Sequence, residues 1–306
     1  MRLLVTGASG LLGSAVARLG AAAGHDIIGA VGRWSRPVPG VARQVSVDLT
    51  GPQGIDALLR EARPAVVMNC AAISEPAACD ANPALAEKIN VTLPQTLAQW
   101  SATNGARLLQ VSTEQVFDGE NPPYRIQDPV QPLHLYGRQK AEAEQHVLAA
   151  CPGAAVLRIP LLFGNSLGGR RSVHEKFLEA WAAGRVMRLF TDEVRAVCSA
   201  ESVAAALLEL APRPDLTGLL HWSGARPVSR HEMGRAVCTR FGFPETWIEA
   251  VPRSAMPDFT ATRPRDLTLD LAPLDRELRT RPESFEDAVA RLVLPLWWRG
   301  FGDRKP

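Results

Sequence analysis

Tyr136 and Lys140 stand four residues apart in Tyr136-Gly-Arg-Gln-Lys140. On a helix, residues i and i+4 share one face, so this phenol and ammonium can point into the same site. A neighbouring cation stabilises phenolate, and the pair predicts a tyrosine whose pKa falls towards neutrality, a usable general acid. The chain has only two tyrosines and four lysines, which makes the coincidence worth pursuing. A hydroxyl stands upstream, in Val111-Ser112-Thr113. A second segment, Gly7-Ala8-Ser9-Gly10-Leu11-Leu12-Gly13, carries Gly-x-x-Gly-x-x-Gly spacing. Small residues between a strand and a helix let a backbone approach a pyrophosphate, and the helix N-terminus adds unpaired N–H groups and positive dipole. A third, Gly32-Arg33-Trp34-Ser35-Arg36, contains no carboxylate. An acid there would hold the ribose 2′-OH of NAD; Arg33 and Arg36, with Ser35, suit the 2′-phosphate of NADP.

These groups need a scaffold, and the first half of the chain describes one. Apolar or β-branched runs at residues 3–6, 26–31, 41–47, 65–69, 107–112 and 154–159 alternate with helical stretches at 11–23, 83–103 and 136–150. Strands separated by helix-length segments predict βαβ units and a parallel sheet covered on both faces. The continuous apolar runs agree, because strands buried on both sides do not alternate. In such a doubly wound sheet ligands bind at the carboxyl ends of the strands, where Thr113 would lie. The expected architecture is α/β: a Rossmann domain over residues 1–163 and a smaller substrate-binding lobe over 164–306, partly interleaved with it. Residues 292–298, with two adjacent tryptophans, predict a terminal helix packed on the core, and residues 302–306 a frayed tail.

Composition excludes several classes. With 306 residues, 46% hydrophobic and 22% charged, the chain is ordinary globular material. A net charge of +2 is far from the basic excess of a nucleic-acid binder, although 30 of its 34 basic residues are arginines. No run approaches the ~18 apolar residues of a membrane span, and Gly7 and Gly10 interrupt the place where a secretion signal needs an apolar core. Five cysteines, an odd number with no Cys-x-x-Cys pair, predict a reduced, cytoplasmic protein without structural zinc. Six scattered histidines offer no metal site, and no Gly-x-Ser-x-Gly elbow supports an esterase. Cys70 follows a strand and is expected to be buried and inert.

The glycine turn, Asp48-Leu49, Asn69-Cys70-Ala71-Ala72, Thr113 and the Tyr136/Lys140 pair, in this order, resemble the extended short-chain dehydrogenase/reductase superfamily. Val111-Ser-Thr-Glu-Gln-Val-Phe-Asp-Gly119, Pro123-Tyr124, Asp128 and Pro132-Leu133 narrow the resemblance to the dTDP-4-dehydrorhamnose reductase family, which includes the methionine adenosyltransferase β subunit. Leu157-Arg-Ile-Pro160, His221-Trp-Ser-Gly224 and Arg263-Pro-Arg265 are similar to the latter. The resemblance implies a catalytic trio of Thr113, Tyr136 and Lys140. It implies Gly7, Gly10, Leu11, Leu12 and Gly13 at the pyrophosphate, Asp48 and Leu49 at the adenine, Ala71 and Ala72 at the adjoining ribose, and Pro160 near the nicotinamide. NADP(H) is the preferred cofactor, with NAD(H) left open.

Departures from the family bear on the substrate. Glu114-Gln115 replaces the usual Asp-Tyr that contacts the sugar, and His134 replaces an Asn. Arg195 and Arg263 are candidate contacts to a substrate phosphate or sugar. The family implies NADPH-dependent reduction of a ketone on a nucleotide 4-keto-6-deoxy sugar. Two alternatives stand beside it: a non-catalytic, NADP-binding regulatory subunit, and an epimerase or dehydratase with retained NAD. The substrate is a small molecule; neither nucleic acid nor membrane is expected as a partner, and a homodimer is left open.

Overall fold

A computed structural model describes residues 1–301, so the tail expected to fray, 302–306, lies outside the described residues. The centre is a seven-stranded sheet. In chain order its elements are β1 (Arg2–Thr6), α1 (Leu11–Ala22), β2 (Asp26–Val31), β3 (Arg43–Ser46), α2 (Pro52–Ala62), β4 (Val66–Asn69), α3 (Leu93–Asn104), β5 (Arg107–Thr113), α4 (Leu135–Ala150), β6 (Ala155–Ile159), α5 (Ala200–Leu210) and β7 (Gly218–His221). Their spatial order is β7-β6-β5-β4-β1-β2-β3, and every pair is parallel. The fold is therefore the expected doubly wound α/β sheet of the Rossmann, extended dehydrogenase/reductase type.

Two apolar layers cover it. On one face Leu12, Ala15 and Val16 of α1 meet Val203, Ala204 and Leu207 of α5; on the other Ile55 and Leu59 of α2, Leu97 of α3 and Val147 of α4 pack together. Burying such side chains is worth roughly 25 cal/mol per Å² of apolar surface, which makes these layers the main source of stability. Both α5 and β7 come from beyond residue 163, so the C-terminal half supplies the edge strand and a covering helix of the sheet. The remainder of that half forms a smaller core around Phe177, Trp181, Val237 and Trp247, beside the parallel pair Met187–Phe190 and Ile248–Val251.

Two expected helices turn out differently. The stretch 83–103 is interrupted by a π turn at Lys88–Thr92 between Pro83–Glu87 and α3. Pro94 has no N–H to give the Asn90 carbonyl and its ring crowds that turn, so the backbone widens there. Residues 292–298 are not the expected terminal α-helix: helix Phe285–Ala290 ends before them, and a 3₁₀ segment, Leu296–Phe301, follows. Pro295 disfavours helical backbone at Leu294 and breaks the run. Leu292, Trp297 and Trp298 still pack on the smaller core.

Candidate active site

Tyr136 enters on the first turn of α4, whose N-cap is His134: its Nδ1 accepts from the Gly137 N–H at 3.1 Å. Gly137 lets that turn approach the Glu114–Val116 segment, since a Cβ there would sit 2.3 Å from the Gln115 carbonyl oxygen. The α4 register then carries Lys140 inwards, and its Nζ donates to the Val111 carbonyl of β5 at 2.7 Å. Thr113 ends β5 with its hydroxyl beside the Tyr136 phenol. All three side chains are buried, at 5%, 6% and 2% exposure for Thr113, Tyr136 and Lys140.

Burial decides how Tyr136 and Lys140 titrate. It pushes the Tyr136 phenol well above its usual range; the Thr113 hydroxyl eases this, while Cys79 and Glu114 add to it. Burial also pulls Lys140 down to about 8, against the charge-favouring Glu144 and Cys70. The expectation that the ammonium lowers the phenol's pKa is thus corrected. Loss of water sets the phenol's titration, and the Lys140 ammonium is engaged by the Val111 carbonyl instead. Cys70 is half-buried rather than buried as expected, and loss of water around its thiol drives the pKa up to about 12.

A buried polar chain fixes this corner. Thr6 Oγ1 donates to Asn69 Oδ1 at 2.5 Å, Asn69 Nδ2 to Gln110 Oε1 at 2.7 Å, and Gln110 Nε2 to the Val111 carbonyl at 2.7 Å. Beneath Lys140, Glu144 takes Arg158 Nε at 2.9 Å and Nη2 at 2.7 Å, and accepts from the Ser112 hydroxyl. Asn90, in the π turn, holds both backbone groups of Ile73 and donates to Gln139 Oε1 at 3.0 Å. Asn69, Ser112, Gln139 and Arg158 stand in motifs already noted in the sequence, whereas Thr6, Gln110, Glu144 and Asn90 do not; Pro94 was the available signal for Asn90.

The glycine turn lies against the same corner. Gly7 adopts φ +64°, and a Cβ there would stand 2.9 Å from the Ala71 backbone; one on Gly13 would stand 2.2 Å from the Gly7 carbonyl oxygen. Gly10 caps α1 with no side-chain bond, and the first turn, Leu11 and Leu12 onwards, carries no acid. An uncapped helix N-terminus beside a tight glycine turn fits the pyrophosphate of a dinucleotide. Arg33, Ser35 and Arg36 are exposed after β2. Asp48 is exposed and accepts from the Thr50 N–H at 2.9 Å, Leu49 is half-buried, Ala71 and Ala72 follow β4, and Pro160 is buried at the end of β6.

The candidate substrate residues divide. Glu114 is buried beside Arg195, Nε to Oε1 3.2 Å, and its Oε2 has no hydrogen-bond partner among the described residues. Gln115 is half-buried. Arg195 is buried, and its guanidinium faces Glu114, Glu193 and the carbonyls of Val194, Pro264 and Arg265. Arg263 donates twice to Glu193, each at 2.8 Å, and remains one-third exposed. Among the described residues no acid, histidine or cysteine cluster could hold a metal, and no helix is long and apolar enough to cross a membrane.

Known proteins are similar to this chain in sequence and in fold. The family model described as the RmlD substrate binding domain matches residues 1–296. Methionine adenosyltransferase 2 subunit beta of Pongo abelii is 33% identical over 279 residues, 90% of this chain and 81% of that protein. A probable low-salt glycan biosynthesis reductase of Haloferax volcanii is 32% identical over 295 residues, 95% and 97% of the two chains. A hypothetical dTDP-4-dehydrorhamnose reductase from Sulfolobus tokodaii superposes with TM-score 0.81 at 26% identity, covering 94% of this chain and 99% of that one. The Bacillus anthracis dTDP-4-dehydrorhamnose reductase in complex with NADP shares the fold, TM-score 0.79 at 20% identity over 95% and 97% of the chains. With the family model matching residues 1–296, the whole of the sheet and the smaller core, the chain belongs to the RmlD substrate binding domain family.

Proposed function

We propose that this protein is an NADPH-dependent reductase of a ketone on a nucleotide-activated 4-keto-6-deoxy sugar. The observation that carries the reading is the convergence of Thr113, Tyr136 and Lys140 in one buried corner. That corner adjoins the glycine turn through Ala71, which touches Gly7, and Cys70, whose charge state Lys140 influences. Names of relatives support it: the Haloferax volcanii protein is called a reductase, and the Bacillus anthracis enzyme holds NADP.

The bound nicotinamide would supply the hydride. Tyr136 keeps its proton across the neutral range and donates it from the phenolic oxygen to the substrate oxygen as an alkoxide develops. Thr113 orients that oxygen through its hydroxyl. Lys140 places a positive charge beneath the site and is itself held by Val111 and Glu144. Gly7, Gly10, Leu11, Leu12 and Gly13 would hold the pyrophosphate, Asp48, Leu49, Ala71 and Ala72 the adenosine, and Pro160 the nicotinamide end.

The test is NADPH oxidation with a panel of nucleotide 4-keto-6-deoxy sugars, dTDP-4-dehydrorhamnose among them, with Tyr136→Phe as control. Turnover that falls ~10²–10⁴-fold in the variant supports the reading; no turnover on any sugar overturns it. The beta-subunit relatives and the closure of the trio from solvent favour a second reading, a cofactor-binding regulatory subunit. Co-purification with a methionine adenosyltransferase, without turnover, is the outcome that selects it.

A further inference from the structure

The loop after β2 contains an arrangement that the reduction chemistry leaves unexplained. Trp34 is half-buried against the sheet layer that includes Leu12 and Val31, with Leu11 and Leu167 packed on the same layer. It meets the glycine-rich strap of residues 164–171, where a Cβ on Gly168 would lie 3.9 Å from the indole Cζ3. The guanidinium of Arg36 lies over the indole, 4.4 Å from the ring centroid. No described residue offers the Arg33 or Arg36 guanidinium a hydrogen bond or an ion pair, in a chain where many arginines have acidic partners. Trp34 Nε1 is enclosed without a hydrogen-bond partner, a cost that a phenylalanine would avoid.

The strap supporting the indole is itself tied down. Asn165 Nδ2 donates to the Arg291 carbonyl and Asn165 Oδ1 accepts from the Val293 N–H, each at 2.9 Å. Trp297 Nε1 donates to the Gly169 carbonyl at 2.8 Å, and Arg170 lies 4.8 Å over the Trp297 ring. The C-terminal segment thus braces the strap, the strap abuts Trp34, and Trp34 carries Arg36. A planar guanidinium laid on an aromatic ring keeps its donors in plane and loses less freedom when it takes up an anion.

We propose that Trp34 is the positioning residue that sets NADP over NAD in this site. It holds the Arg36 guanidinium flat at the end of β2, where doubly wound folds set the adenosine ribose, so that Arg36 and Arg33 receive the phosphate that NADP carries and NAD lacks. The inference rests on the reading that the glycine turn takes a nicotinamide dinucleotide. Calorimetric titration with NADPH and with NADH, on the wild type, Arg36→Ala, Trp34→Leu and Trp34→Phe, tests it.

The wild type should bind NADPH more tightly than NADH. Arg36→Ala and Trp34→Leu should weaken NADPH roughly 10-fold and leave NADH within about twofold, since a charge-assisted contact to phosphate is lost. Trp34→Phe keeps a ring beneath Arg36 and should retain the preference. Equal losses for both dinucleotides, an unchanged ratio in Arg36→Ala or Trp34→Leu, or a lost ratio in Trp34→Phe overturns the proposal. Arg36 is exposed, so its variant reads the phosphate contact without disturbing the fold, and Trp34→Phe, which keeps a ring in place, reads the part played by residue 34 even if Trp34→Leu does not fold. A wild type that binds NADH as tightly as NADPH overturns the proposal and spares the reductase reading; one that binds neither removes both.

Discussion

The Lys140 ammonium donates to the Val111 carbonyl oxygen at 2.7 Å, and Gln110 Nε2 reaches the same oxygen at the same distance. The lysine is therefore held by the sheet itself, through a polar chain that starts on β1. Its neighbour Tyr136 carries a phenol that burial keeps protonated. In the reducing direction a proton must be available on that phenol, so a raised pKa is no obstacle. Oxidation would need the phenolate and is disfavoured by the same burial.

The pH dependence of reduction follows from this division. Lys140 titrates at about 8 in the folded protein, pulled down by burial, while Tyr136 stays protonated beyond it. Activity should fall along an alkaline limb near pH 8 as the ammonium loses its charge. A profile of kcat/KM from pH 6 to 10 with NADPH checks this; a plateau up to pH 10 contradicts it.

Glu193 is the shared partner of three arginines, Arg195, Arg230 and Arg263. Burial opposes its ionisation, yet Arg230, Arg263 and Arg195 outweigh burial and hold the carboxyl well below the usual carboxylate range. Glu193→Gln leaves these arginines without their shared counter-charge and should cost about 3 kcal/mol, the lower end for breaking a buried pair because Arg230 and Arg263 keep some water. Urea unfolding measures it, and a loss under about 0.5 kcal/mol would show that the cluster is ornamental.

The sheet and the Tyr136/Lys140 pair were legible in the sequence for the same reason: their signals are local. A run such as residues 26–31, apolar after Asp26, marks β2 to the residue, and an i,i+4 pair marks one helix face. The partners of those groups were not legible. Lys140 binds a backbone oxygen, which no residue type announces, and Arg263 meets Glu193 across 70 residues of chain. Burial, the quantity that reverses the expected Tyr136 shift, exists only once α4 has packed on β5. Arg195 drew notice as a charge near the substrate side, and only the fold reveals that its donors are spent on Glu114 and the backbone.

Gly13 tests the cofactor cradle. A methyl there would stand 2.2 Å from the Gly7 carbonyl oxygen and 2.9 Å from Ala8 Cα, both backbone atoms that cannot turn aside. Gly13→Ala should cost ~1–3 kcal/mol by overpacking and weaken NADPH more than 10-fold by opening the turn. Gly153, which has open space around it, is the control: Gly153→Ala should leave both unchanged. Calorimetric titration together with thermal unfolding separates the two effects, and a Gly13→Ala protein with parental NADPH affinity contradicts the cradle.

Glu114 should leave a signature of opposite sign to Glu193. Burial pushes its carboxyl up to about 7, even with Arg195, Arg230 and the Leu161 N–H favouring ionisation. In the unfolded chain the group titrates near ~4.3, so between these values the folded protein binds more protons. Its contribution to stability is complete below the unfolded value and is lost as pH rises through about 7. Glutamine cannot ionise, so Glu114→Gln should gain on the wild type between pH 5 and pH 8. Paired urea titrations at the two pH values read the difference directly. A gap that stays constant, or widens in favour of the wild type at pH 8, would mean that Glu114 is ionised throughout and that the Arg195 pair dominates its burial.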